Sequence, residues 1–174
     1  MGSQPKLRII FTKEEIEARV KTLAYNIRQD YKDKHPILIG ILKGSFIFMA
    51  DLSRSLDFPV EIEFVRLSSY GGDSKSSGEI RVVQGLKCPI RGRDVLVVED
   101  IVDTGLTTSF LLDYLRKKMP ASLKLCALTD KPARRRAPVT IDYLGFSVPD
   151  KFLVGYGLDL DEKFRNLPCI CSVD

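Results

Sequence analysis

The stretch Val95-Leu96-Val97-Val98-Glu99-Asp100-Ile101-Val102-Asp103-Thr104-Gly105-Leu106-Thr107-Thr108 decides the fold. Its first four residues are an unbroken apolar run, the pattern of a strand buried on both faces and therefore of a parallel sheet with helices on either side. Two adjacent carboxylates end that run and a third follows three residues later. Thr-Gly-x-Thr-Thr then leads into a helix expected over Thr107 to Lys118, with Phe110, Leu111, Tyr114 and Leu115 on one side. A strand that feeds a helix through a glycine turn places unpaired N–H groups and a positive dipole end at the carboxyl edge of a sheet. Thr104, Thr107 and Thr108 add hydroxyl donors, and Gly105 lets the backbone approach closely. This is a cradle for a phosphate monoester. Glu99 and Asp100 beside it are placed to accept from sugar hydroxyls, so a ribose phosphate accounts for both halves of the segment. No GxxxxGK[ST] string is present, so this is not a nucleotide-triphosphate P-loop.

The flanking sequence fits the same architecture. Thr12 to Tyr31 reads as a helix opened by a Thr12/Glu15 capping box, with Ile16, Val20, Leu23, Ala24, Ile27 and Tyr31 on one face. Pro36 to Leu42 reads as a second doubly buried strand, followed by Lys43-Gly44-Ser45 and a helix over Phe46 to Leu56. Val60 to Leu67 and Glu79 to Val83 read as strands on either side of Ser68 to Gly78, a Gly/Ser-rich segment expected to be a long exposed loop and a candidate lid. Lys124 to Leu128, Val139 to Phe146 and Phe152 to Tyr156 are further strand candidates. The alternation predicts an α/β fold with a mainly parallel central sheet flanked by helices, and the strand-rich tail a small added element, all in one domain over residues 1–174.

Composition narrows the function classes. With 174 residues, 44% apolar and 29% charged, the chain can bury a core, and its net charge of +4 suits a polyanionic small substrate better than nucleic acid. The single histidine, His35, argues against a histidine-based triad and a multi-histidine zinc site. Cys88, Cys126, Cys169 and Cys171 form no CxxC pair, and Cys169-x-Cys171 reads as two thiols on an extended segment. The sequence shows no signal-like pattern and no apolar run of membrane-spanning length, which predicts a cytoplasmic protein.

The string VLVVEDIVDTGLT resembles the ribose-phosphate donor motif of type I phosphoribosyltransferases, and the order of motifs from Ile41-Leu42-Lys43-Gly44 to Phe164-Arg165 is similar to the branch of that family acting on hypoxanthine and guanine. The resemblance implies that family's fold, with a small hood element, and transfer of ribose 5-phosphate from 5-phosphoribosyl 1-pyrophosphate to N9 of a 6-oxo purine in purine salvage. It implies magnesium, small-molecule substrates with neither nucleic acid nor membrane as partner, and a homodimer or homotetramer. By position it makes Lys43 and Gly44 a pyrophosphate loop with an unusual cis peptide, with Arg165 a second pyrophosphate ligand. Glu99 and Asp100 become the ribose-hydroxyl and metal-proximal pair, with Asp159 a further metal-side carboxylate near the base. Asp103 is the general base at N7, and Thr104, Gly105, Leu106, Thr107 and Thr108 are the 5-phosphate loop. Lys131 donates to the 6-oxo group, Phe152 stacks on the base, Leu153 adds a backbone contact, and Ser69 and Tyr70 belong to the closing loop. Some members carry lysine at the position of Leu106; bacterial-type members tolerate its absence. Read without the resemblance, Arg134, Arg135 and Arg136 are a solvated basic loop, and Asp161 and Glu162 are surface charges. Two rivals stand beside this reading: a xanthine-guanine transferase, and a non-catalytic regulator that senses the same donor and binds nucleic acid.

Overall fold

The computed structural model describes residues 5–70 and 79–174, with residues 69, 70 and 79 by backbone only. Its central sheet has six strands: β2 (Ile37–Leu42), β3 (Glu61–Tyr70), β4 (Glu79–Gln84), β5 (Asp94–Val102), β6 (Ser122–Asp130) and β7 (Tyr143–Ser147), in the order β4-β3-β2-β5-β6-β7. All neighbours run parallel except the β3–β4 pair. A second sheet of three antiparallel strands, β1 (Leu7–Phe11), β9 (Ile170–Val173) and β8 (Leu153–Val154), forms the small flanking element.

Two layers cover the central sheet, and the strand sequences say why. Leu96 and Val98 of β5 face one way and pack with α1 (Lys13–Tyr31) and α2 (Phe46–Ser55), through Ile16, Leu23, Ile27, Phe48 and Leu52. Val95 and Val97 face the other way and pack with Leu111 and Leu115 of α3 (Leu106–Arg116). Side chains alternate across a strand, so a run apolar at every position is what two covered faces require. The six apolar positions expected for α1 are all buried, and its capping box forms as read: Glu15 N–H donates to Thr12 Oγ1 at 3.3 Å, and Thr12 N–H donates to Glu15 Oε2 at 2.8 Å. The ring of Phe11 stacks on Phe146 with centroids 4.0 Å apart, tying β1 of the small sheet to β7 of the large one.

Several boundaries differ from expectation. β3 continues through Ser68, Ser69 and Tyr70, which pair with Arg81, Ile80 and Glu79 of β4, so the expected loop begins three residues later. The remainder of the candidate lid, residues 71–78, lies outside the described residues. The strand expected over Val139 to Phe146 is paired only from Tyr143. The one expected over Phe152 to Tyr156 is a strand only at Leu153 and Val154; Gly155, Tyr156 and Gly157 then take positive φ of 96°, 50° and 102°, and Gly155 forms an isolated bridge with Leu158. β1 is not expected from the sequence, and β9 is expected only as the extended segment around Cys169 and Cys171; β9 pairs with β1 on one side and β8 on the other.

The order of strands places the site. β2 is followed by α2 and then β3 on one side of it, whereas β5, its other neighbour, is followed by α3 and then β6 on the opposite side. The chain therefore leaves β2 and β5 in opposite directions, opening a crevice at their carboxyl ends, where open α/β sheets bind ligands. Lys43-Gly44 and Glu99 to Gly105 are the segments that flank it. The cap of α1 offers a direct check on this framework: Thr12→Ala is expected to cost about 1 kcal/mol and lower the thermal midpoint by about 2–4 °C, measured by differential scanning calorimetry, while Thr12→Ser restores most of it.

Candidate active site

β5 runs past its apolar core and carries Glu99 and Asp100 to the edge of the crevice while both are still within the strand. Both are buried. Burial, then the charge of Asp100, push the Glu99 carboxyl well above its ordinary value. Burial also raises Asp100, against the pull of hydrogen bonds from Glu99 and the backbone. Desolvation is thus the leading cause of both shifts, and the interaction between the two carboxyls comes second. Thr129 of β6 donates to the Asp100 carbonyl at 2.8 Å and fixes the backbone at this point.

The loop after β2 closes over this pair. The Leu42–Lys43 peptide is cis, in the loop where the resemblance places such a bond. A Cβ on Gly44 would lie 1.9 Å from Asp100 Oδ2, so only glycine allows the loop to sit there. Lys43 Nζ donates to Glu162 Oε2 at 2.8 Å. Arg165 Nη1 donates to the Gly157 carbonyl at 2.7 Å, and Nη2 lies 2.9 Å from Asp159 Oδ1 and 3.4 Å from Glu162 Oε1. Asp159 Oδ2 in turn accepts from Glu162 N–H at 2.9 Å. Glu162 is thus exposed, as expected, yet it is the common partner of two site cations.

Strand register builds the other wall. Val102 of β5 pairs with Asp130 of β6, so the next residues on the two strands, Asp103 and Lys131, emerge side by side. Lys131 N–H donates to the Val102 carbonyl at 3.0 Å. The Lys131 side chain is only 4% exposed, and its Nζ lies 3.6 Å from Asp103 Oδ2. Arg134 Nε approaches the other oxygen, Oδ1, at 3.4 Å, a charge contact that leaves this buried oxygen without a hydrogen bond among the described residues. Arg134 and Arg136 are exposed, as expected of a solvated loop, but the three arginines also make defined contacts. Arg134 lies against Asp103, Arg135 is half-buried and paired with Asp130, and Arg136 N–H donates to the Thr104 carbonyl at 2.8 Å. Arg134 is the site residue that sequence reasoning missed; its spacing of three from Lys131 in a one-turn helix, Pro132–Arg134, was the available signal.

A cavity of about 380 Å³ lies among these groups, walled by Lys43, Gly44, Asp100, Asp103, Lys131, Arg134, Phe152, Leu153, Asp159 and Arg165. Phe152 presents a ring that is 53% exposed, an uncompensated apolar surface facing ligand space. Glu99 lies outside the lining. So does the 104–108 turn, where Gly105 adopts φ 80° as the residue before α3 and supplies no side-chain cap of its own. Thr104 Oγ1 accepts from Leu106 N–H at 3.4 Å; Thr107 and Leu106 are exposed, whereas Thr108 is buried. Ser69 and Tyr70 are in β3, and their side chains are not described. Larger cavities exist elsewhere, one of about 450 Å³ beside Arg135 and Leu144, but neither Glu99, Asp100, Asp103 nor Lys131 lines it.

Among the described residues no three acid, histidine or cysteine side chains converge closely enough to enclose a metal. Two buried carboxyls under a polyanion-sized cavity instead suit a hard divalent cation that takes one or two protein carboxylates and completes its shell with substrate oxygens and water.

The burial of the pair has a measurable consequence. A carboxyl whose folded-state pKa is raised favours the folded protein at low pH, and that stability is lost as pH rises through the folded value. Glu99→Gln keeps the shape and removes the titrating group. It is expected to melt above the parent at pH 8 in the presence of a chelator, by about 2–4 °C per kcal/mol, with the gap closing toward pH 4.5, the ordinary glutamate value. Melting curves across this range test it; an offset independent of pH would assign the effect to packing.

The comparisons with known proteins agree with this geometry. Residues 8–161 match the family described as phosphoribosyl transferase domain. The hypoxanthine-guanine phosphoribosyltransferase of Aquifex aeolicus is 49% identical over 170 residues, 97% of this chain and 96% of its own. The hypoxanthine phosphoribosyltransferase of Salmonella typhimurium is 41% identical over 169 residues, 96% of this chain and 95% of its own. The crystal structure of a hypoxanthine-guanine phosphoribosyltransferase from Bacillus anthracis superposes with a TM-score of 0.92 at 43% identity, covering 98% of this chain and all of that one. With a family match over residues 8–161, a solved relative superposing at a TM-score of 0.92 and relatives of this identity over nearly its whole length, the chain belongs to the phosphoribosyltransferase family.

Proposed function

We propose that this chain transfers the 5-phosphoribosyl group of 5-phosphoribosyl 1-pyrophosphate to N9 of hypoxanthine and guanine, releasing pyrophosphate and forming IMP and GMP. The observation that carries the reading is the buried Lys131 ammonium 3.6 Å from Asp103, opposite an exposed Phe152 ring. An ammonium is a donor only, so Lys131 selects a 6-oxo over a 6-amino purine. Asp103 Oδ1, buried and lacking a hydrogen bond, is the acceptor for the N7 proton as N9 attacks. Phe152 covers one face of the base, and the Leu153 backbone contacts its edge.

At the donor end, the free N–H groups at the start of α3, with Thr104, Thr107 and Thr108, receive the 5-phosphate. Glu99 and Asp100 accept from the ribose hydroxyls. Lys43 and Arg165 exchange their Glu162 and Asp159 contacts for pyrophosphate oxygens and stabilise charge that builds on the leaving group. Magnesium, when held by Glu99 and Asp100 with Asp159 beside them, supplies further charge neutralisation on the pyrophosphate. C1 of the ribose acquires oxocarbenium character in such transfers. Arg134, by its contact with Asp103 Oδ1, keeps that carboxylate in place before the base arrives.

The same reading holds residues 1–174 to be one catalytic domain that assembles as a homodimer or homotetramer in the cytoplasm. Among the described residues no helix is long and apolar enough to cross a membrane.

Spectrophotometric transfer assays with magnesium, the donor and each of hypoxanthine, guanine, xanthine and adenine test the reaction. Turnover of hypoxanthine and guanine, with adenine poor and magnesium required, is expected. Preference for xanthine over hypoxanthine would favour the xanthine-guanine rival. Asp103→Asn is expected to lower kcat by about 10²–10⁴-fold. Lys131→Ala is expected to weaken hypoxanthine use far more than donor binding; equal losses in both would remove its role at the base.

A further inference from the structure

Away from the cavity, Cys171 lies within β9, paired with Ile9 of β1 on one side and Val154 of β8 on the other, and Cys169 immediately precedes that strand. Residues two apart on an extended chain point to the same face. Their sulfurs are 3.6 Å apart, and both thiols are free; Cys169 is half-exposed and Cys171 buried. We propose that Cys169 and Cys171 form a chelating dithiol site for trivalent arsenicals, the class of ligand that binds two thiols at one centre. The inference is independent of the transferase reading.

The geometry favours two-point attachment. With bonds to sulfur of about 2.3 Å, the pyramidal centre of trivalent arsenic holds its two sulfurs roughly 3.4 Å apart, close to the resting distance of 3.6 Å. Little rotation of either side chain is needed, and the half-exposed Cys169 provides the way in. Burial, with the neighbouring Cys169 sulfur second, pushes the Cys171 thiol up to about 11. Cys171 is therefore protonated at neutral pH and a poor target for simple alkylation, which needs thiolate. An arsenical oxide, R–As=O, is not limited in that way. Two As–S bonds form, the arsenic–oxygen bond breaks, and the two thiol protons leave with the oxygen as water, with no change of oxidation state. Cys88 and Cys126 have no second thiol in contact among the described residues, so they offer single attachment only.

The experiment is titration of the native full-length chain with phenylarsine oxide, followed by intact-mass measurement and challenge with thiols. One adduct per chain is expected, formed with loss of one water, stable to excess 2-mercaptoethanol and released by 1,2-ethanedithiol. Loss of chelation lowers affinity by about 100-fold or more, so Cys169→Ser is expected to bind at least that much more weakly and to release the reagent to monothiol. Cys88→Ser is expected to behave as the parent. Cys169 is half-exposed, so its variant keeps the test valid even if Cys171→Ser does not fold. A monothiol-resistant adduct in Cys169→Ser, or adduct formation only after denaturation, would overturn the proposal.

Discussion

Two neighbouring carboxyls buried at the carboxyl end of β5 are the constraint around which the crevice is organised. Isolated, each would cost several kcal/mol to keep charged away from water. The chain meets that cost without an ion pair of its own. Burial raises the pKa of both carboxyls, Thr129 orders the backbone, and a glycine rather than a side chain lies against Asp100. The position cannot slide, since β5 is locked between β2 and β6 in parallel register over most of its length. A carboxyl pair this confined is poor for stability and useful for a ligand that brings hydroxyls and a cation, which is the balance expected of a site rather than of a core.

The cations around the cavity follow a complementary rule. Lys43, Lys131, Arg134 and Arg165 each face a carboxylate: Glu162, Asp103, Asp103 and Asp159. Solvent-exposed pairs contribute little net energy, so Lys43 can give up Glu162 to a phosphate oxygen at small cost. Lys131 is different. Its ammonium is buried, and Asp103 is the charge that keeps it so; the pair is held in place by strand register instead of by loop conformation. The donor end of the site is built to exchange partners, and the base end to keep them.

This division explains which parts were legible in the sequence. The donor end is local: strand, carboxylates, turn and helix are contiguous in residues 95–108, and α1 announces itself through its cap and its apolar stripe. The base end is not. Nothing in the residues around Lys131 says that it will emerge beside Asp103, because that adjacency is set by the pairing of Val102 with Asp130, and only the family resemblance pointed to it. Arg134 was set aside as one of three solvated arginines because charge runs usually are solvated; its contact depends on the single helical turn that reverses the chain after β6. β1 was missed as a strand, and β9 was read only as an extended segment, for the same reason, since each is short and is defined by a partner more than 150 positions away.

That last pairing bears on the base platform itself. Phe152 precedes a strand of two residues, too short to be held by its own ladder, and its ring is left half in solvent. What fixes its backbone is β9: Val173 N–H donates to the Phe152 carbonyl at 2.9 Å, and Ser172 and Cys171 pair with Leu153 and Val154. β9 is in turn held by β1, whose Phe11 ring stacks on Phe146 of the central sheet. The platform is thus positioned relative to Lys131 through a chain of contacts that returns to β7, the strand paired with β6. A small sheet that looks peripheral is the element that gives an exposed aromatic ring a defined place, and short strands suffice because each is braced by the next.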